Sequence, residues 1–158
     1  MTPIEREVAV RRGGPEDVVT VADLYSETRR AAYPQMPHAV HTDDEHRDFY
    51  RKHVMDQPDH TVWVAEADGE ILGFAHCTPT FLDGIYVRSD LRGQGIGSLL
   101  LDVVEATHPD GYELWVFVSN VGAHRLYLHR GLVDVERTDG SGNEEKAPDI
   151  RMAWRPGS

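Results

Sequence analysis

The sequence predicts a mixed α/β domain of the α+β kind, with most of its sheet antiparallel. Two strand-forming runs, Thr61–Ala67 and Glu70–Thr78, are separated only by Asp68-Gly69, a strong hairpin signal. A third run, about Leu82–Arg88, follows Pro79 closely enough to pair antiparallel with the second. Helix-period runs flank these strands on both sides. The resulting order is β-α-α-β-β-β-α-β-α-β-β, six to seven strands and about four helices in one domain spanning 1–158.

Val8–Arg11 alternates weakly and is expected to be the first strand. Pro15-Glu16-Asp17 starts a helix, with proline and acids in the first turn, and Val18, Val21, Ala22, Leu24 and Tyr25 give it one apolar face to about Ala32. The loop Tyr33–His41 is too polar and proline-rich for core. Thr42 and Glu45 form a capping box for a second helix that carries Phe49, Tyr50 and Val54 and ends before Pro58. After the three strands, Gly93, Gly95 and Gly97 lead into a helix with Ile96, Leu99, Leu100, Val103 and Val104 on one stripe, reaching about Thr107. Glu113–Val118 is nearly continuous in apolar residues, as in a strand buried on both faces. Ser119 and Asn120 can cap the next helix, and Gly131 stands where a left-handed C-cap belongs. Val133–Arg137 and Ile150–Trp154 form a last strand pair joined by the polar loop Thr138–Asp149.

The totals set bounds. A chain of 158 residues with 40% hydrophobic and 27% charged residues buries an ordinary globular core. No apolar run reaches the ~18 residues of a membrane span, and residues 1–12 lack a signal-peptide core, so no membrane partner and no export are expected. Cys77 is the lone cysteine, which fits a reducing cytoplasm and a small buried hydrophobe. A formal charge of −11 repels nucleic acid, keeps the protein soluble and would favour a cationic substrate.

The stretch Leu82–Leu101 carries the chemistry. Strand, glycine-rich turn and helix present bare backbone N–H groups to an anion at the positive end of a helix dipole, and Arg92 adds a planar donor fork suited to phosphate. A P-loop would need a Lys-Ser or Lys-Thr pair after its last glycine, which is absent. A dinucleotide fingerprint would need GxGxxG, whereas Gly93, Gly95 and Gly97 give GxGxG with no acid at suitable range.

The hexad Arg92-Gly93-Gln94-Gly95-Ile96-Gly97 resembles the R/Q-x-x-G-x-G/A signature of the GNAT superfamily of acetyl-CoA-dependent N-acetyltransferases. A second block, with Asn120, Ala123, Tyr127 and Gly131, matches in register, and the order of elements is similar from Val8 to Trp154. The resemblance implies a GNAT fold whose fourth and fifth strands splay apart to receive acetyl-CoA, with no metal. It implies that backbone N–H groups of Arg92 through Gly97, with Gln94, Ile96 and Ser98 in the same turn, hold the pyrophosphate. Ile85, Tyr86 and Val87 would pair with the pantetheine arm, a backbone N–H near Tyr86 or Val87 would polarise the thioester carbonyl, and Asn120 would contact the pantetheine side. A homodimer would be in keeping with the family. Ser89-Asp90 departs from it, since proline is frequent there.

Aminolysis of a thioester needs a neutral amine and a proton for the departing thiolate. Tyr127 stands at the family's position for that acid, and it can equally pack as a core tyrosine. Asp83 shares a strand face with Ile85 and Val87 by period two, Glu113 opens the strand beside the splay, and His76 ends the preceding strand; each is a candidate base, and water can serve instead. His38, His41 and His46 match no standard zinc spacing and are expected at the acceptor mouth or in water. The expected activity is direct transfer of acetyl to a primary amine of a small-molecule acceptor. Acetylation of a protein N-terminus or lysine, or a non-catalytic acyl-CoA-binding module, are the alternatives.

Overall fold

The computed structural model describes residues 7–157, so residues 1–6, half of the stretch behind the expectation of no export, lie outside the described residues. Strand β1 (Ala9–Arg12) leads through one 3-10 turn (Pro15–Asp17) into α1 (Val18–Ala31), and α2 (Asp43–His53) follows. Next come β2 (Thr61–Ala67), β3 (Glu70–Cys77) and β4 (Leu82–Val87), then a 3-10 turn (Ser89–Leu91) and α3 (Ile96–Ala106). The chain finishes with β5 (Tyr112–Phe117), α4 (Val121–His129), β6 (Val133–Thr138) and β7 (Asp149–Trp154). No described helix is long and apolar enough to cross a membrane.

Local chemistry accounts for the helix starts. Thr42 Oγ1 accepts from Glu45 N at 3.2 Å while Glu45 Oε1 accepts from Thr42 N at 3.0 Å, the expected capping box. The entry to α1 is a 3-10 turn because the Asp17 carboxylate accepts from Gly14 N at 2.9 Å. Arg11 clamps the same carboxylate at 2.9 and 3.0 Å and also holds Glu66 across the β1–β2 pair. That guanidinium keeps the Asp17 carboxyl below the usual range.

The seven strands among the described residues form two antiparallel sheets, β1-β2-β3-β4 and β5-β7-β6. Among the described residues they are joined where β4 and β5 begin, through a parallel bridge between Phe81 and Glu113 and a 3.0 Å bond from Glu113 N to Thr80 O. From there the strands diverge, as the resemblance implies. One apolar cluster, including Leu72, Leu82, Leu100, Leu114 and Met152, packs α3 against both sheets. A second, including Val21, Tyr50, Val64 and Phe74, lies under α1 and α2.

Two expectations are corrected. The run through β5 is not buried on both faces: Leu114 and Val116 are buried, but Trp115 is 42% exposed and Glu113 faces arginines. The second concerns Asp83. The β3–β4 register runs His76↔Gly84 and then Cys77↔Leu82, so Asp83 is the extra residue of a β-bulge. Leu82 therefore stays on the α3 face with Ile85 and Val87, while Asp83 turns to the α2 face, opposite to the side that simple alternation assigns.

Candidate active site

The divergence of β4 and β5 opens a cleft of about 590 Å³. Ile85, Tyr86 and Val87 form one wall, and Arg92, Gly93, Gly95, Ile96, Gly97 and Ser98 form one end. Asn120 and Tyr127 of the α4 region line the other side, so the predicted donor-binding residues converge, except that Gln94 does not line the cleft.

Gly93 and Gly95 adopt left-handed φ values of 78° and 85°, which an L side chain takes only with strain. Gly95 is the N-cap of α3, and Leu99 N donates to its carbonyl at 3.0 Å. A Cβ at position 93, 95 or 97 would meet no atom within 4 Å, so the turn is bare toward the cleft. The Ser89-Asp90 departure is accommodated: Ser89 Oγ donates to the Glu27 carboxylate of α1, and Arg88 holds Asp90 at 2.7 Å and also the Glu70 carboxylate. These ties fix the turn that leads into the glycines.

Strand β4 offers its free edge to the gap. Arg88 N donates to Leu72 O of β3 at 2.9 Å, and antiparallel pairing alternates bonded and outward-facing residues. The N–H and C=O groups of Val87 and Ile85 therefore face away from β3, toward β5, whereas those of Tyr86 face β3. Of the two backbone donors named from sequence, Val87 has the right direction.

Tyr127 is buried against the α3 cluster, and burial pushes its phenol up to about 12. It stays protonated at neutral pH, as a proton donor must. Asn120 caps α4, its Oδ1 accepting from Ala123 N at 3.4 Å, and its Nδ2 donates to Met36 Sδ at 3.2 Å. It thereby ties the cleft wall to the segment between α1 and α2.

The candidate bases separate clearly. Glu113 lines neither cavity and is ion-paired with Arg151 at 2.8 Å and Arg155 at 3.3 Å; Arg151 holds its carboxyl below the usual range, which makes it a poor base. Asp83, turned by the bulge, lines a second cavity of about 530 Å³ with Tyr25, His46, Asp48, Phe49 and Tyr50. Its mouth carries His41, bonded to Glu45 at 3.3 Å and to Glu144 at 3.2 Å. His46 Nδ1 lies 2.7 Å from Ser26 Oγ, and burial lowers the pKa of the ring. His38 instead stacks on Tyr33 at 3.8 Å between ring centres. Cys77 is buried, which pushes its thiol up to about 11 and leaves it inert at neutral pH.

Residues that sequence reasoning did not single out join the two cavities. Tyr25 packs edge-on against Tyr86, 4.9 Å between centres, and its hydroxyl accepts from Arg29 at 2.8 Å. Arg29 is itself buried and bonds to Pro37 O at 3.1 Å and to Glu145 at 3.2 Å. A charged residue on the buried side of a helix, with no sequence neighbour to pair with, was the available signal.

The chain matches the acetyltransferase (GNAT) family over residues 20–132. It belongs to that family. A curated but uncharacterized N-acetyltransferase of Archaeoglobus fulgidus is 27% identical over 150 residues, 85% of this chain and 99% of the relative. Another, from Methanocaldococcus jannaschii, is 30% identical over 107 residues, and the match spans 58% of this chain and only 47% of the relative. Among solved structures, yncA of Salmonella typhimurium with its cofactor acetyl-CoA superposes with a TM-score of 0.73 at 15% identity, covering 94% of this chain and 93% of that one. At that identity the likeness is one of fold. By class the GNAT chain is an acyltransferase, an N-acetyltransferase.

Proposed function

We propose that the chain, as one domain over 1–158, transfers acetyl from acetyl-CoA directly to a primary amine of a small cationic acceptor. The observation that carries this is the pair of cavities meeting at Tyr25 and Tyr86, one fitted to the donor and the other lined by acids. The donor cleft fits coenzyme A on its own terms: a bare left-handed turn at a helix N-terminus for the pyrophosphate, and an unpaired strand edge for the pantetheine amides. When bound, acetyl-CoA supplies the activated acyl group. Val87 N–H orients the thioester carbonyl and stabilises charge on its oxygen.

The acceptor cavity places Glu45, Asp48, Asp83 and Glu144 against a single lysine, Lys52, with Tyr25, Phe49 and Tyr50 as aromatic surface. That combination favours an ammonium group on a short apolar chain. Asp83 takes the ammonium proton, since an alkylammonium near pKa ~10 is otherwise charged at pH 7. Tyr127 gives a proton to the departing thiolate.

The test is free-thiol release from acetyl-CoA across a panel of monoamines, diamines, amino sugars and amino-acid amides, alongside calorimetric binding of coenzyme A. Turnover is expected to be highest with diamines. Tight coenzyme A binding with no turnover on any amine would make the chain an acyl-CoA-binding module and overturn the proposal.

A further inference from the structure

Asp83 does not end the polar chain at the acceptor cavity. Behind it, on β3, His76 is 1% exposed, and its Nδ1 faces Asp83 Oδ2 at 3.3 Å, an ion-pair distance without hydrogen-bond alignment. That Nδ1 has no hydrogen-bond partner among the described residues. The other ring nitrogen, Nε2, lies 2.8 Å from Nδ1 of His60, with the rings 5.1 Å apart. His60, on the segment between α2 and β2, is half-buried and lines a separate opening of about 440 Å³, alongside Arg12 and Asp56. Tyr50 of α2 is the other titratable group against His76, at 6.0 Å between ring centres.

A buried histidine with one nitrogen bound and the other unsatisfied is costly unless the unsatisfied nitrogen has a use. The bulge that turns Asp83 inward is what places a carboxylate opposite it. Seating an acceptor would cover Asp83, whose side chain is 56% exposed in its absence, and close off direct loss of its proton to water. We propose that His76 and His60 form a proton exit that discharges Asp83 along the α2 face of the sheet to the far opening, a role that rests on Asp83 being the base.

The steps balance as follows. The ammonium gives one proton to the Asp83 carboxylate, and the amine lone pair so freed forms the bond to the acetyl carbon as the carbon–sulfur bond breaks. The departing thiolate takes the Tyr127 proton, and the second amine proton replaces it on Tyr127, leaving the amide and free coenzyme A. Asp83 passes that proton to His76 Nδ1, His76 releases its Nε2 proton to His60 Nδ1, and His60 releases its Nε2 proton to water in the far opening. No electrons change hands. After product leaves, one proton returns along the same chain to water in the emptied cavity and resets both rings. Neither histidine touches the acceptor, so both act through Asp83.

The test uses the full chain with 1,3-diaminopropane as the acceptor probe. His60→Ala is expected to lower kcat about tenfold or more with little change in the acetyl-CoA KM. Added imidazole, which fits the far opening, restores the rate, whereas pyrazole, a ring of the same shape and far weaker basicity, does not. A wild-type rate in His60→Ala while Asp83→Asn is inactive, or equal rescue by pyrazole, overturns the exit and leaves the base intact. A wild-type rate in Asp83→Asn overturns the base and the exit together. Nitrogen-15 spectra of the His76 ring give a readout without any acceptor: Nδ1 bare and Nε2 protonated is expected, and a proton resident on Nδ1 overturns the exit.

Discussion

Gly97→Ala and Gly95→Ala separate what the α3 helix wants from what the cleft needs. Gly97 is the second residue of α3, its φ is not left-handed, and a Cβ there meets nothing within 4 Å. The folded state therefore accepts the methyl without strain. Replacing a helical glycine by alanine contributes about 0.5–1 kcal/mol, and at about 2–4 °C per kcal/mol for a chain of this size the melting temperature should rise by about 1–4 °C. The same methyl stands at the signature position that takes glycine or alanine, so coenzyme A affinity should stay within about twofold, whereas Gly95→Ala, at a φ of 85° in the turn itself, should lose about tenfold, or about 1.4 kcal/mol. Differential scanning calorimetry and titration calorimetry with coenzyme A read the two effects on each variant. A gain in stability with affinity kept is expected for Gly97→Ala, and losses in both for Gly95→Ala. A Gly95→Ala variant that binds coenzyme A as tightly as the wild type would refute the assignment of this turn to the pyrophosphate.

Three further outcomes follow from the geometry. In Gly73→Ala the new Cβ would lie 2.9 Å from Tyr86 O and 3.3 Å from Ile96 Cγ2, so β4 must shift by about half an ångström. Overpacking of about 1–3 kcal/mol should lower the melting temperature by about 2–12 °C and weaken coenzyme A binding, and a wild-type melting curve would refute that close approach. Tyr127→Phe removes a hydroxyl only, so it should lower kcat about 100-fold with acetyl-CoA affinity and folding little changed; an unchanged kcat takes Tyr127 out of the chemistry. Glu144 and Glu45 raise the pKa of His41 above its ordinary 6.5, so the contact between the 138–149 loop and α2 is complete below that value and is lost as pH rises through the raised one. Hydrogen exchange in that loop, corrected for its intrinsic rate, should speed up with pH across neutrality in the wild type but not in His41→Ala.

The donor half of the site is legible because its chemistry is local. Gly93 and Gly95 are glycines for a backbone reason, and strand, turn and helix are contiguous, so spacing alone assembles them. The Thr42–Glu45 box and the Asp68-Gly69 hairpin are legible on the same ground. The acceptor half is not. Asp83 reaches its cavity through one extra residue in a ladder, and period-two alternation reverses across such a bulge without any mark in the sequence. His41 meets Glu144 more than a hundred positions away, and Arg29 meets Glu145 likewise, contacts that depend on tertiary placement alone. For β5, apolar continuity overstated burial, because Trp115 faces outward from a sheet covered on one side only.

The split between β4 and β5 has a consequence for the protein's life before it meets its donor. Among the described residues, each sheet ends there in a strand that pairs with a neighbouring strand on one side only, the kind of border that recruits foreign strands and seeds aggregates. Here the border is recessed in a wedge that closes at the Phe81–Glu113 bridge. On the proposed reading, acetyl-CoA covers the seam that the wedge only shields. A cell short of the coenzyme would hold this chain with an open seam, and ligand at 100 times its Kd would add about 2.7 kcal/mol to the closed form. On the proposed reading, donor binding and folding stability are linked at this seam.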